Sequence, residues 1–189
     1  MVNKIYKPAY VKKILFDTKE IEQGIEKAAN WINKKYAKAK TPPVLIAVLK
    51  GSIPFYTKLL MNIKLECICD FIVLSSFQGT MQAQTTPRIV TDIINDIYKR
   101  DVVVIEDVAD TARSLSTLIN YLKSKKPKSV KTMVLVDKPA KRLVPFKPDY
   151  ACFVIQKDPF LIGYGLDIKE QARNLPYIAE FDKKYLNKI

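Results

Sequence analysis

Five residues that could do chemistry fall within one short stretch of this chain: Glu106, Asp107, Asp110, Thr111 and Ser114. The apolar run Val102–Ile105 leads into them, and a helical pattern from about Thr111 to Ser124 leads away. A helix N-terminus presents unpaired N–H groups and partial positive charge, so it suits an anion such as phosphate. Thr111 and Ser114 add hydroxyl donors, Arg113 adds charge, and Ala112 completes the turn. Helix capping by Asp110 or Thr111 would account for one of these residues. It leaves Glu106 and Asp107 unexplained, because adjacent carboxylates repel unless a cation or ligand hydroxyls satisfy them. A sugar diol or a hydrated Mg²⁺ would do so. The chain contains no histidine, so any acid or base must be a carboxylate, Lys, Tyr or Cys.

Other nucleotide-binding signatures are missing. No G-x-x-x-x-G-K-[ST] or G-x-G-x-x-G occurs, and Gly163-Tyr-Gly165 is too short to stand for either. Cys67, Cys69 and Cys152 have no histidine to complete a zinc site, and they are expected as buried core thiols.

The elements that must position these residues follow an alternating order. Asp17 and Glu20 form a capping pair, and Ile21, Ile25, Ala28, Ala29, Ile32 and Tyr36 follow at helical spacing until Thr41-Pro-Pro. Val44–Leu49 reads as a strand buried on both faces. A turn at Lys50-Gly51-Ser52 then precedes a helix from Pro54 to about Asn62. Further strands are expected at 65–74, 102–105, 130–136 and 151–155, with an aperiodic polar loop at 75–87. The segment after 155 reads as aromatic and irregular. Strands alternating with helices predict an α/β fold with a mainly parallel sheet. In such sheets ligands bind beyond the carboxyl ends of the strands. Lys50-Gly51, the loop after residue 75, Glu106–Ser114 and Asp137-Lys138 all fall there.

The run from Val102 to Leu118 resembles the diphosphate-sugar binding motif of type I phosphoribosyltransferases. Val48–Phe55 is similar to the pyrophosphate turn of that family, and Leu135–Arg142 to its base-recognising segment. Pro159–Asp167 with Arg173–Tyr177 resembles the purine-binding end of its hypoxanthine-guanine branch. The likeness spans about residues 10 to 181 and implies one domain over 1–189. A core at about 40–150 would carry a small hood built from about 1–20 and 155–189. It further implies transfer of ribose 5-phosphate from phosphoribosyl diphosphate to N9 of a 6-oxopurine, with Mg²⁺.

Residue by residue, the resemblance gives Glu106 and Asp107 the ribose hydroxyls and metal, and Asp110 the role of base near N7. Residues 110–114 would wrap the 5′-phosphate. Lys50, Gly51, Ser76, Phe77 and Arg173 would face pyrophosphate, under a lid at 76–86. Lys138 would donate to O6, Phe160 would stack on the base, and the Leu161 carbonyl would accept a guanine amino group. Asp167 would hold a second Mg²⁺. Taken singly, Phe160 reads as core, Lys138 as one lysine among 27, and Arg173 as a partner of Glu170. The chain departs from the family pattern at Ala112, where glycine is usual, and at Phe77, where tyrosine is usual. A third departure is the composition of the lid, with Met81 and three glutamines.

The formal charge of +13 rests on dispersed lysine with only five arginines, which points to a solvated surface rather than a nucleic-acid footprint. Lacking a signal peptide or an apolar run of membrane length, the chain is expected in the cytoplasm, without membrane partners. The family resemblance implies a homo-oligomer, dimer or tetramer. A xanthine-preferring enzyme and a phosphoribosyl-diphosphate-sensing regulator of nucleic acid remain alternatives.

Overall fold

The computed structural model describes residues 5–75 and 87–189. The chain runs β1 (Val11–Phe16), α1 (Thr18–Tyr36), β2 (Val44–Leu49), α2 (Ile53–Asn62), β3 (Ile68–Ser75), β4 (Arg88–Thr91), β5 (Asp101–Ala109) and α3 (Arg113–Ser124). It continues through β6 (Ser129–Asp137), β7 (Tyr150–Val154), β8 (Leu161–Ile162) and β9 (Ile178–Phe181). Six strands form one sheet in the order β4-β3-β2-β5-β6-β7, parallel except for β4 at the edge. The alternating βα order therefore gives the expected parallel α/β core.

Burial explains the layering. In β2, Leu45 and Ala47 pack with α1 and α2, while Val44, Ile46 and Val48 face α3 on the other side. Both faces are covered, which is why the strand reads as a continuous apolar run. On α1 the Asp17–Glu20 capping box is formed, and Ile21, Ile25, Ala28, Ala29, Ile32 and Tyr36 are all buried. Each fully buried Ile contributes about 1.5–3 kcal/mol through removal of apolar surface from water.

The two chain ends build a second sheet, in the order β1-β9-β8, with its own small core of Val11, Ile162, Tyr177, Ala179 and Phe181. Sequence periodicity gave no sign of β1, β4, β8 or β9. These strands have two to six residues, too few for a periodic pattern. The segment after residue 155 is thus not wholly irregular. A second correction concerns the cysteines: Cys69 is exposed, and Cys67 and Cys152 are only partly buried. β5 is also longer than the apolar run suggested and carries Glu106 and Asp107 within it. Backbone pairing with β6 continues past the last aliphatic residue to Ala109.

Candidate active site

β5 ends at Ala109, and the chain passes through Asp110, Thr111 and Ala112 into α3. Ala112 is the N-cap, at φ 63°, in the left-handed region that glycine adopts without penalty. Neither Asp110 nor Thr111 occupies the N-cap, and no side chain caps the helix from that position. The helix thus begins without an N-cap side chain, Arg113 N–H lies 3.5 Å from Thr111 Oγ1, and a helix start of this kind suits an oxyanion.

Two adjoining clefts meet at Asp107. The first, about 280 Å³, is lined by Lys50, Gly51, Glu106, Asp107, Ser114 and Arg173 among others. The second, also about 280 Å³, is bordered by Asp110, Lys138, Phe160, Leu161 and Asp167, with Asp107 again on its wall. Sequence-nominated residues from four separate segments are thereby brought together. Ser76, Phe77 and the rest of the expected lid lie outside the described residues.

The turn after β2 is pressed against the acids. A Cβ added to Gly51 would lie 1.6 Å from Asp107 Oδ2, so no side chain fits there. The Leu49–Lys50 peptide bond is cis. Gly165, at φ +99°, packs against the Gly51 carbonyl, which ties the C-terminal segment to the same turn. Arg173 donates to the Gly165 carbonyl at 2.8 Å and pairs with Asp167 at 2.8 Å and Glu170 at 3.1 Å. Glu170 also pairs with Lys50 at 2.8 Å, so one exposed carboxylate links the two nominated pyrophosphate cations.

Burial raises both carboxyl pKa values at the end of β5: Glu106 lies well above its ordinary value, with the charge of Asp107 adding to desolvation. Desolvation likewise raises Asp107, although hydrogen bonds, first that with Glu106, oppose the rise. A divalent cation between ligand oxygens and this pair would relieve the mutual repulsion, so the donor set fits Mg²⁺, which favours few protein carboxylates plus phosphate and water. Asp167 does not join them: its Oδ1 is held by Arg173, and among the described residues no three metal-ligating side chains converge.

On the purine side, Asp110 Oδ1 is buried and has no hydrogen-bond partner among the described residues. Its Oδ2 lies 3.4 Å from Lys141 Nζ and 3.8 Å from Lys138 Nζ. Lys138 is only 3% exposed, not a surface lysine. Phe160 is 40% exposed, so it is not a core residue either; its ring stands 5.7 Å from that of Phe181. Arg142 props up the corner from behind, pairing with Asp137 and donating to the carbonyls of Ala109 and Asp110. Sequence reasoning nominated none of Asp158, Lys141 or Arg142, and named Glu170 only as a partner of Arg173. No periodicity marks such residues; only their position in space reveals them.

Residues 12–169 match the family model of the phosphoribosyl transferase domain. A hypoxanthine-guanine phosphoribosyltransferase of Streptococcus pneumoniae is 39% identical over 169 residues, covering 89% of this chain and 92% of that protein. The protein of the same name from Mycoplasma genitalium is 34% identical over 172 residues, covering 91% and 97%. Among solved structures, a hypoxanthine phosphoribosyl transferase of Trypanosoma cruzi superposes with a TM-score of 0.90 at 32% identity, covering 97% of each chain.

Proposed function

The chain belongs to the phosphoribosyl transferase domain family, and from that premise we propose that it is a hypoxanthine-guanine phosphoribosyltransferase of purine salvage. It transfers the 5-phosphoribosyl group of phosphoribosyl diphosphate to N9 of hypoxanthine or guanine, forming IMP or GMP and releasing pyrophosphate. One observation carries this reading: a cleft lined by Lys50, Gly51 and Arg173 and a cleft lined by Asp110, Lys138 and Phe160 share Asp107 as their common wall. The ribose would lie at that wall, with its 5′-phosphate at the 110–114 turn.

In this arrangement N9 attacks C1′ as the bond from C1′ to the pyrophosphate oxygen breaks. Asp110, whose Oδ1 has no partner among the described residues, takes the proton from N7. Positive charge developing on the sugar is stabilised by the neighbouring carboxylates. Lys50 and Arg173 exchange their exposed pairing with Glu170 for the leaving diphosphate. Exposed ion pairs contribute little, so this exchange costs little. Glu106 and Asp107 would hold Mg²⁺, whose charge neutralises the diphosphate. Phe160 offers a ring face to the purine, and the Leu161 carbonyl an acceptor for its 2-amino group.

Incubating the purified chain with phosphoribosyl diphosphate, Mg²⁺ and hypoxanthine tests the reading. IMP and pyrophosphate should appear in equal amounts. Release of pyrophosphate with free ribose 5-phosphate, or no reaction, would refute it.

A further inference from the structure

The base-side cleft carries a carboxylate to which the proposed reaction gives no role. Asp158 Oδ1 lies 2.6 Å from Lys138 Nζ and 3.1 Å from Lys141 Nζ. Those same lysines reach Asp110 Oδ2 at 3.8 and 3.4 Å. The four side chains close a ring of alternating charge, and all four border the cleft. Lys138 Nζ also donates to the Pro159 carbonyl at 3.0 Å, which fixes its direction. Both lysines use Oδ1 of Asp158; its Oδ2 accepts no hydrogen bond among the described residues, and the side chain is 44% exposed.

The cleft therefore presents an ammonium donor and a carboxylate acceptor side by side. A 6-oxopurine presents the complementary pair on neighbouring atoms, since O6 accepts and N1–H donates. Adenine presents the reverse: its 6-amino group donates, and N1 offers only a lone pair. Against Lys138 and Asp158 adenine would meet donor with donor and lone pair with anion. Leaving such groups unmatched away from water is costly, whereas the matched N1–H bond is charge-assisted.

We infer that Asp158 is a specificity-determining residue which, together with Lys138, reads the O6/N1–H edge of the base. The inference rests on the proposed function and deepens it, because Lys138 alone would read only O6. Asp158 as a mere counter-ion would instead affect every base alike, through Lys138 or the stability of the fold.

The two roles separate in steady-state kinetics of the full chain, comparing wild type with Asp158→Ala and Asp158→Asn. Hypoxanthine is the substrate, and adenine is followed as a competitive inhibitor, so its affinity is read whether or not it is converted. In Asp158→Ala the KM for hypoxanthine should rise on the order of tenfold, with kcat changing much less. The adenine inhibition constant should hold or fall, narrowing the preference between bases by a similar factor. Asp158→Asn, whose amide oxygen still accepts, should recover most of the loss. Equal weakening of both bases, an unchanged hypoxanthine KM, or an Asn variant as impaired as Ala would each overturn the inference. Absence of hypoxanthine turnover in the wild type would sink the proposed function itself, whereas turnover with an unmoved preference would sink only the role of Asp158.

Discussion

At the scale of single residues, the site concentrates features that a merely stable protein would avoid. Burial raises the pKa values of Glu106 and Asp107, and the charge of Asp107 raises that of Glu106 further. A carboxyl whose folded pKa is raised binds its proton more tightly when folded, so its contribution to stability is lost as pH climbs through that raised value. Above it, the native state carries the full cost of the buried charge. Glu106→Gln should accordingly raise the melting temperature at neutral pH, and the gain should vanish near pH 4, where both states are protonated. A melting series across pH checks this; a gain that persists at low pH would contradict it. Ala112 is a second such residue, held at φ 63°. A non-glycine residue there costs about 1–2 kcal/mol, which offsets the loss of one methyl group of about 0.8 kcal/mol. Ala112→Gly should therefore keep or slightly raise stability. By contrast, Ala28→Gly at a fully buried position inside α1 should lose about 1 kcal/mol or more in chemical denaturation.

At the scale of elements, the proposed catalytic geometry requires the close approach of the turn after β2 to the end of β5. That approach is possible only because residue 51 is glycine, since any Cβ would collide with Asp107. Gly51→Ala should push Asp107 aside and lower kcat/KM for phosphoribosyl diphosphate by on the order of 100-fold, in line with the cost of misplacing a positioned group. Far-ultraviolet circular dichroism should remain that of the wild type, because β2 and α2 keep their packing. An active Gly51→Ala enzyme would show that the turn does not position Asp107. The same element scale explains what the sequence could and could not disclose. β2 and α1 were legible because burial on two faces, or along one stripe, leaves a periodic apolar pattern. β8 and β9 were not, since two- and four-residue strands hold no period; β9 exists by pairing with distant β1, and β8 by pairing with β9.

At the scale of the whole molecule, the site is assembled from segments more than 100 residues apart in sequence, so ligand binding must couple to global stability. Phosphoribosyl diphosphate with Mg²⁺ at about 100 times its Kd should stabilise the native state by about 2.7 kcal/mol. A thermal shift of roughly 5–10 °C follows for a chain of this length. A shift no larger than that given by Mg²⁺ alone would mean that the cleft of Lys50, Gly51 and Arg173 does not bind phosphoribosyl diphosphate. Distance also set the limit of the sequence reading. Glu106, Asp107, Asp110 and Ser114 announce themselves because one short motif holds them, and Lys138 and Arg173 entered through resemblance to a family. Asp158 had neither signal, and Glu170 only its spacing from Arg173: their links to Lys138 and Lys50 arise when folding brings distant segments together.

In the proposed reaction Asp110 takes the proton from a 6-oxopurine while the acids of β5 hold the sugar. Its most direct test is the rate of nucleotide formation from phosphoribosyl diphosphate and Mg²⁺ with hypoxanthine, guanine, xanthine and adenine offered separately, in the wild type and in Asp110→Asn. Turnover of hypoxanthine and guanine is expected, with little of adenine, and a kcat reduced roughly 100- to 10,000-fold in Asp110→Asn with its fold intact. Undiminished turnover in Asp110→Asn would contradict the assignment of the base, and a folded wild type that converts none of the four purines would contradict the account as a whole.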